Sequence, residues 1–308
     1  MNDTNLPAPS LATKALLVDM TIKFWNAVTC DEDVTSSVQR EYEAQRDSGA
    51  YRKKLLPHDP KEWKDLRAAR LALMVAHKKF TLPWSTGMRI LTREAFLDYG
   101  REVAKLRADF DAAVEAFLAV YPQEIEKAML HQGRMANPLD YPEVNRLRRQ
   151  FGVSIDYAPV PDRGDFRVDL DAEYVNGIKE QIEQHTAARV QEAQRELWER
   201  MIGTVEHFAG VLTKVQASEV ARMNGDETAN TPIIRESLIK NVEAMAKIAE
   251  TLNLADDPRI LEMRDEMQSL VYDRKDLRDH AALRIAAIKR ADDITNKMRA
   301  FMPRAREQ

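Results

Sequence analysis

Cysteine, glycine and long apolar runs are scarce in this chain, and each shortage removes a class of structure. The single cysteine, Cys30, leaves no partner for an intramolecular disulfide and no cysteine-rich metal site. Ten glycines in 308 residues argue against a β-sandwich, a β-barrel or a glycine loop that cradles phosphate. No stretch approaches the roughly 18 apolar residues that a bilayer requires, so the sequence predicts neither a membrane span nor a membrane partner.

The sequence also lacks the motifs that usually mark catalysis. It contains no phosphate-binding loop, no dinucleotide-binding glycine pattern, no Gly-x-Ser-x-Gly and no His-Glu-x-x-His. Its six histidines are scattered without ligand spacing. Asp162, Asp165 and Asp169 could together hold a divalent ion, but the interleaved Arg163 and Arg167 favour ordinary turn and strand-edge charge. We therefore expect no enzyme activity, no catalytic residues, no metal and no cofactor.

Composition and the amino-terminal residues indicate a folded, cytoplasmic protein. Hydrophobic residues make up 44% of the chain and charged residues 31%, which is typical of folded soluble proteins. Residues 1–13 are polar, contain two prolines and show no basic-then-apolar signal sequence, so they predict a flexible leader. The formal net charge is only −4, so any nucleic-acid site must come from local clustering of cations.

Alternating apolar and polar residues predict four short strands, at 16–24, 88–91, 151–157 and 166–170. The turn at Pro159–Gly164 joins the last two as a hairpin. Because these strands are far apart in the chain, they predict a small mixed β-sheet in the amino-terminal half.

Helices are predicted between and after the strands. Cap signals predict one helix over 60–78 and another of about 28 residues from Thr92, with shorter helices at 122–132 and 142–150. From Asp171 onward the apolar spacing is helical throughout. The first helix there covers about 40 residues and therefore roughly 60 Å.

Helices predicted at 232–252, 258–272 and 275–301 are shorter than the long helix against which they would pack. The apolar stripe of a helix roughly 60 Å long is hard to bury within one chain, so we expect coiled-coil-like self-association into a homo-oligomer. The predicted fold class is α+β and predominantly helical, with a long carboxyl-terminal helical hairpin or bundle. The predicted domains are the leader 1–13, an α+β domain over 14–170 and a long-helix domain over 171–308.

Charge is strongly asymmetric along the chain. Residues 52–93 contain eleven basic and three acidic residues, a formal charge of +8 in 42 residues, so the other 266 residues carry −12. The same stretch, with the residue before it, supplies four aromatic residues: Tyr51, Trp63, Phe80 and Trp84. Cations that follow phosphates, interleaved with rings that stack on bases, are what a single-strand groove needs.

Two interpretations of this segment stay open. If the segment has no ligand, its tryptophans are core residues and its lysine-rich helix face is simply exposed to solvent. If it is a nucleic-acid site, a second basic cluster before the strand at Phe151 extends it. The candidate nucleic-acid-binding residues are Arg52, Lys53, Lys54, Lys61, Lys64, Arg67, Arg70, Lys78, Lys79, Trp84, Arg89, Arg146, Arg148 and Arg149.

Several short stretches resemble one protein family. These are Thr81-Leu82-Pro83-Trp84, Arg89-Ile90-Leu91 with Tyr99, Phe166-Arg167-Val168 after the Pro159–Asp162 turn, and the early strand with Phe24-Trp25. From about residue 15 to 300, the chain resembles an uncharacterised family of proteins from tailed phages, prophages and integrative elements. The resemblance implies a context of DNA replication and recombination, in the host cytoplasm if phage-encoded. Distant relatives of that family are encoded beside MoxR-like AAA+ ATPases.

Three functions are compatible with these features. The leading hypothesis is a non-catalytic accessory protein of phage or mobile-element DNA metabolism that binds single-stranded nucleic acid through the basic and aromatic segment. The alternative is a protein-interaction subunit, either an adaptor of an AAA+ ATPase or an inhibitor of a host enzyme, with no nucleic-acid binding. A structural component of the virion is the third.

Overall fold

A computed structural model describes residues 11–162, 172–226, 228 and 232–303. The described residues are 68% helical, with a small sheet in the amino-terminal half of the chain and long helices in the carboxyl-terminal half, which confirms the predicted fold class. None of the helices that the structure describes is both long and apolar enough to cross a bilayer.

The elements follow one another as short strands among helices and then as helices alone. The strands are β1 Ala15–Lys23, β2 Val28–Cys30, β3 Arg52–Lys54, β4 Leu82–Pro83, β5 Arg89–Thr92 and β6 Gly152–Pro159. The helices are α1 Leu11–Lys14, α2 Glu32–Glu41, α3 Lys61–Phe80, α4 Arg93–Gln132, α5 Val144–Arg148, α6 Ala172–Met223, α7 Glu236–Thr251, α8 Pro258–Gln268, α9 Arg274–Asp279 and α10 Ala281–Phe301. Of the predicted leader 1–13, residues 11–13 belong to α1 and residues 1–10 lie outside the described part.

The four-stranded sheet has the order β4-β5-β1-β6. Strands β1, β5 and β6 confirm three of the predicted strands. The β1–β5 and β4–β5 ladders are antiparallel. The predicted fourth strand at 166–170 lies outside the described residues.

Strand β4 lies between the helix predicted over 60–78 and the strand predicted at 88–91, where the sequence predicted no element. A tight turn returns the chain, with the Trp84 and Ser85 amides donating to the Met88 carbonyl at 3.2 and 3.1 Å. Gly87 within it has a φ of +83°, in the region that favours glycine. Two strand residues, one of them a proline, are too few to produce an alternating pattern.

A second, two-stranded sheet pairs β2 with β3, in register from Val28 and Lys54 to Cys30 and Arg52. After β2, the Asp31 carboxylate accepts from the Val34 amide at 3.0 Å and caps α2. The sequence did not predict this sheet, because three-residue strands carry no readable period.

Helix α4 is longer than predicted because it continues through Pro122. An interior proline removes one helical hydrogen bond and typically costs about 3 kcal/mol. The buried side chains of Tyr121, Glu124 and Ala128 surround that point and offset the cost through packing. The cap at Thr92 is confirmed, since its hydroxyl accepts from the Ala95 amide at 3.2 Å.

The chain forms two compact units, each built from separate segments. Among the described residues, one comprises 11–19, 78–98 and those from 157 onward, and the other comprises 20–77 and 99–156. These units are defined by packing, whereas the predicted boundary near residue 171 divides the chain by secondary structure.

The unit of residues 20–77 and 99–156 is built on aromatic contacts. The Trp63 ring lies 5.1 Å from Phe117, 5.3 Å from Phe24 and 5.7 Å from Trp25, centroid to centroid. Tyr121 meets Trp25 edge-on at 5.8 Å. Such pairs add about 0.5–1.5 kcal/mol each to the burial of the rings.

The other unit is built on helix packing, chiefly of α6 against α10 and of α7 against α8 and α6. The buried stripe of α6 begins at Ala193, and Trp198 meets Phe301 at the end of α10, with centroids 6.2 Å apart. Residues 176–192 of α6 contain no buried side chain.

Arg284 on α10 is a buried cation that joins three helices of this unit. Its Nη1 donates to the carbonyls of Leu277 and Arg278 in the last turn of α9, at 3.0 and 2.6 Å. Its Nε donates to Gln216 on α6 at 3.2 Å, and its Nη2 pairs with Glu219. A planar guanidinium satisfies these acceptors at once, which a lysine could not do.

Candidate interaction surfaces

Lys53, a predicted phosphate contact, is buried and fully engaged. Its side chain is 4% exposed, and Nζ lies 2.8 Å from Asp31, 2.6 Å from Asp140 and 2.8 Å from the Met135 carbonyl. Burial by itself lowers the pKa of Lys53, but the hydrogen bonds to Asp140 and Asp31 outweigh it and raise that pKa. The same contact lowers the pKa of Asp31. We leave Lys53 out of any ligand surface.

Three predicted cations in the first half of α3 are exposed, and each has a partner within the protein. Lys61 pairs with Asp65 at 2.6 Å, while Lys64 and Arg67 share Asp59. The half-buried Arg70 places its guanidinium 4.6 Å from the centroid of the Phe24 ring. Surface pairs of this kind contribute only about 0–1 kcal/mol, so a ligand anion can replace them.

The predicted positions at the end of α3 and beyond divide into exposed and buried residues. Lys78 and Lys79 are exposed, and Lys79 Nζ lies 5.0 Å from the Phe80 centroid. Trp84 is 7% exposed and lies in the core, so it offers no face for stacking.

Arg89 is half-buried and holds β5 to β4 and α6. It donates to the Thr81 hydroxyl at 2.7 Å and pairs with Glu196 at 3.3 Å. Burial lowers its pKa despite Glu196. We therefore remove Trp84 and Arg89 from the candidate surface.

The remaining predicted cations lie on β3 and α5. Arg52 and Lys54 are exposed on β3, directly after Tyr51, which is 40% exposed. Arg146, Arg148 and Arg149 are exposed on and after α5, and Arg148 pairs with Glu115. Thus Tyr51 is the one aromatic residue of the predicted segment that remains open to solvent.

A groove that the sequence did not predict lies between α1, β1, the start of α4 and the end of β6. Its volume is about 590 Å³, and its lining is mainly apolar. Phe96 is 39%, Leu97 68% and Tyr157 51% exposed, and the two rings lie 6.1 Å apart at an angle of 57°. Partial burial raises the pKa of Tyr157. Arg93 lines the groove and pairs with the neighbouring Glu94 at 3.2 Å.

The sequence did not mark Phe96 or Tyr157 as exposed, because both continue regular apolar patterns. Phe96 continues the apolar stripe of α4, and Tyr157 continues the alternation of β6. Phe96 lies in the first turn of α4 and Tyr157 near the end of β6, and both remain partly open to solvent. Periodicity reports which face of an element a residue occupies, and says nothing of whether that face is covered.

One histidine–carboxylate contact resembles part of a catalytic arrangement. His58 Nε2 contacts Glu124, which is 5% exposed and also pairs with Lys127 at 2.6 Å. Burial raises the pKa of Glu124, but the hydrogen bonds from Lys127 and His58 outweigh it and lower that pKa. The other ring nitrogen, Nδ1, is buried without a hydrogen-bond partner. Because Nε2 is engaged by Glu124 and Nδ1 is buried, the pair suits a structural tie better than proton transfer.

Within the described part of the chain, no group of three histidine, cysteine or carboxylate side chains is placed to hold a metal ion. Comparison with family models, curated proteins and solved structures finds no match to this chain.

Proposed function

We propose that the protein is a non-catalytic interaction subunit that holds an apolar segment of a partner protein in the groove of Phe96, Leu97 and Tyr157. The observation that carries this proposal is the exposure of three large apolar side chains at one concave surface. Isolated exposed apolar residues are ordinary, whereas clustered ones in a groove are typical of binding sites.

The composition of the groove suits a protein segment. Two aromatic rings in contact bury a large area at low entropic cost, which is why such residues dominate binding energy at interfaces. Arg93, whose contact with Glu94 is a weak surface pair, offers a cation to an acidic residue that flanks the bound segment. An AAA+ ATPase is the class of partner that the family resemblance suggests.

Site-specific photocrosslinking tests this proposal. A benzophenone amino acid at Leu97 should capture one partner protein in cells that carry the gene, and the same group at exposed Val220 should not. The purified partner should then bind the wild type about tenfold more tightly than the Phe96→Ala, Tyr157→Ala variant. Equal binding to both proteins, or crosslinks only between copies of this chain, would contradict the proposal.

Binding of single-stranded nucleic acid is the second candidate. It is favoured by the exposed run of Tyr51, Arg52 and Lys54, which keeps a stackable ring beside two cations. Its observable signature is a strong dependence of affinity on salt. A groove-binding subunit has no reason to show that dependence for an oligonucleotide.

A further inference from the structure

Helix α3 carries large apolar side chains on both of its faces, which an ordinary amphipathic helix does not do. Its inner face buries Trp63, Leu66 and Leu73 in the core. On the outer face, Leu71 is 59% and Val75 57% exposed. Met74, at 41%, is exposed beside them.

Leu71, Met74 and Val75 form one stripe, because residues three and four apart are neighbours on a helix surface. Ala68, one turn earlier, is also exposed, so the stripe has a shallow end where another backbone can approach. Spacing of this kind presents a ridge and groove that match the surface of a second helix. The stripe differs from the groove of Phe96 in its location and in its surroundings.

Cations stand at both ends of this stripe. Arg67 lies about one turn and Lys64 about two turns before Leu71, and exposed Lys78 and Lys79 lie about one turn after Val75. From Leu66 to Phe80 the helix contains no acidic residue. Lys64 and Lys78 are 14 positions apart, which is about 21 Å along the axis.

This charge pattern decides between two kinds of occupant. If α3 of a second copy lay antiparallel on the stripe, its Lys78 would face Lys64. In a parallel arrangement, each cation would face the same residue of the other copy. Both arrangements bring like charges together, which is unfavourable at an interface. A helix with acidic residues at both ends of an apolar stripe meets opposite charges instead.

We infer that the outer face of α3 binds an acidic amphipathic helix of another protein. The apolar stripe of that helix packs on Leu71, Met74 and Val75. Its carboxylates replace Asp59 beside Lys64 and Arg67 at one end and meet Lys78 at the other. Helix-in-groove recognition of this kind uses apolar anchors at three- and four-residue spacing.

Two designed helical peptides test this inference against the full-length protein. Both carry the same leucine stripe over about five turns, but one has glutamate and the other lysine at its two ends. Fluorescence anisotropy at low salt should show at least tenfold tighter binding of the glutamate peptide. Equal binding of both peptides, or no binding of the glutamate peptide at millimolar concentration, would overturn the inference.

Substitutions locate the binding surface. The Leu71→Ser, Val75→Ser variant should weaken binding of the glutamate peptide about tenfold, since two exposed anchors are removed. The matched control is Leu130→Ser, a leucine that is 84% exposed on α4. Equal losses in both variants would place the peptide elsewhere.

Light scattering of the protein alone tests whether a second copy occupies the stripe instead. A dimer that the Leu71→Ser, Val75→Ser variant no longer forms would show that a second copy is the occupant, and would overturn the inference.

Discussion

The basic segment 52–93 and the groove of Phe96 and Tyr157 differ in exposure, and the difference is the opposite of what their sequences suggest. The segment is rich in lysine and arginine, yet its two tryptophans are buried. The groove residues belong to regular apolar stripes, yet the structure leaves them exposed. Composition indicates what a region contains, and packing alone decides which of its side chains meet a ligand.

The largest expected effect concerns Trp84 and sharpens this comparison. Trp84→Ala should lower the free energy of unfolding by about 3–5 kcal/mol, as truncation of a buried tryptophan does. Phe96→Ala, in the exposed groove, should change it by less than about 0.5 kcal/mol. Urea unfolding followed by circular dichroism measures both. A stable Trp84→Ala variant would return that residue to the candidate surface.

Lys53 should show the next largest effect, because its charge is buried between two carboxylates. Lys53→Met should cost about 3 kcal/mol, since it leaves Asp31 and Asp140 without their counter-ion. The matched control Lys61→Met removes a lysine from an exposed pair and should change stability little. Chemical denaturation at neutral pH compares the two.

The stabilisation by Lys53 should also depend on pH in a definite direction. The pKa of Asp31 is lowered from its usual 3.8. Its ion pair with Lys53 therefore stabilises the fold fully above pH 3.8, and this stabilisation is lost as the pH falls through the lowered pKa. The pKa of Lys53 is raised from 10.5, so the stabilisation by its charge is present below pH 10.5 and is lost only as the pH rises through the raised pKa. Between about pH 4 and 10 the difference between wild type and Lys53→Met should therefore be nearly constant. A difference that grows on acidification below pH 4 would contradict this pairing.

Salt-dependent binding of a labelled single strand would indicate that the basic segment, rather than the groove, is the ligand-binding surface. If Lys61, Lys64 and Arg67 contact phosphates, replacing all three with alanine should flatten the log–log salt slope by about two units. Replacing Arg146 and Arg149 with alanine should flatten it only if the surface extends to α5. Absence of binding by the wild type at low salt would end the nucleic-acid candidate and leave the groove as the main site.

Self-association is the smallest and most concentration-dependent effect that we expect. Residues 176–192 of α6 bury no side chain, and they precede the stretch that packs on α10. We expect these residues to meet a second copy, so that light scattering at tens of micromolar shows a dimer or larger assembly. Ile178→Ser with Ile182→Ser should shift it towards monomer. A wild-type monomer under these conditions would contradict the prediction.

Much of the fold could be predicted because its signals are local. Alternation over four to nine residues identified β1, β5 and β6, and the hydroxyl of Thr92 identified the start of α4. The candidate site was less predictable, because the same cationic residue type is buried at position 53 and exposed at 54. The difference follows from Asp140, which is distant in the chain and supplies one of the carboxylates that pair with Lys53.

The sequence by itself determined the helical content, the positions of the longer strands and the uneven distribution of charge. These properties depend on period, capping and composition, which act over a few residues. Only the tertiary structure decided that the β4 and β2–β3 ladders form, that α4 continues through Pro122, and that Trp84 is covered while Phe96 and Tyr157 are open. Each of these outcomes depends on contacts between residues far apart in the chain, whose energies outweigh local preference and leave no trace in local pattern.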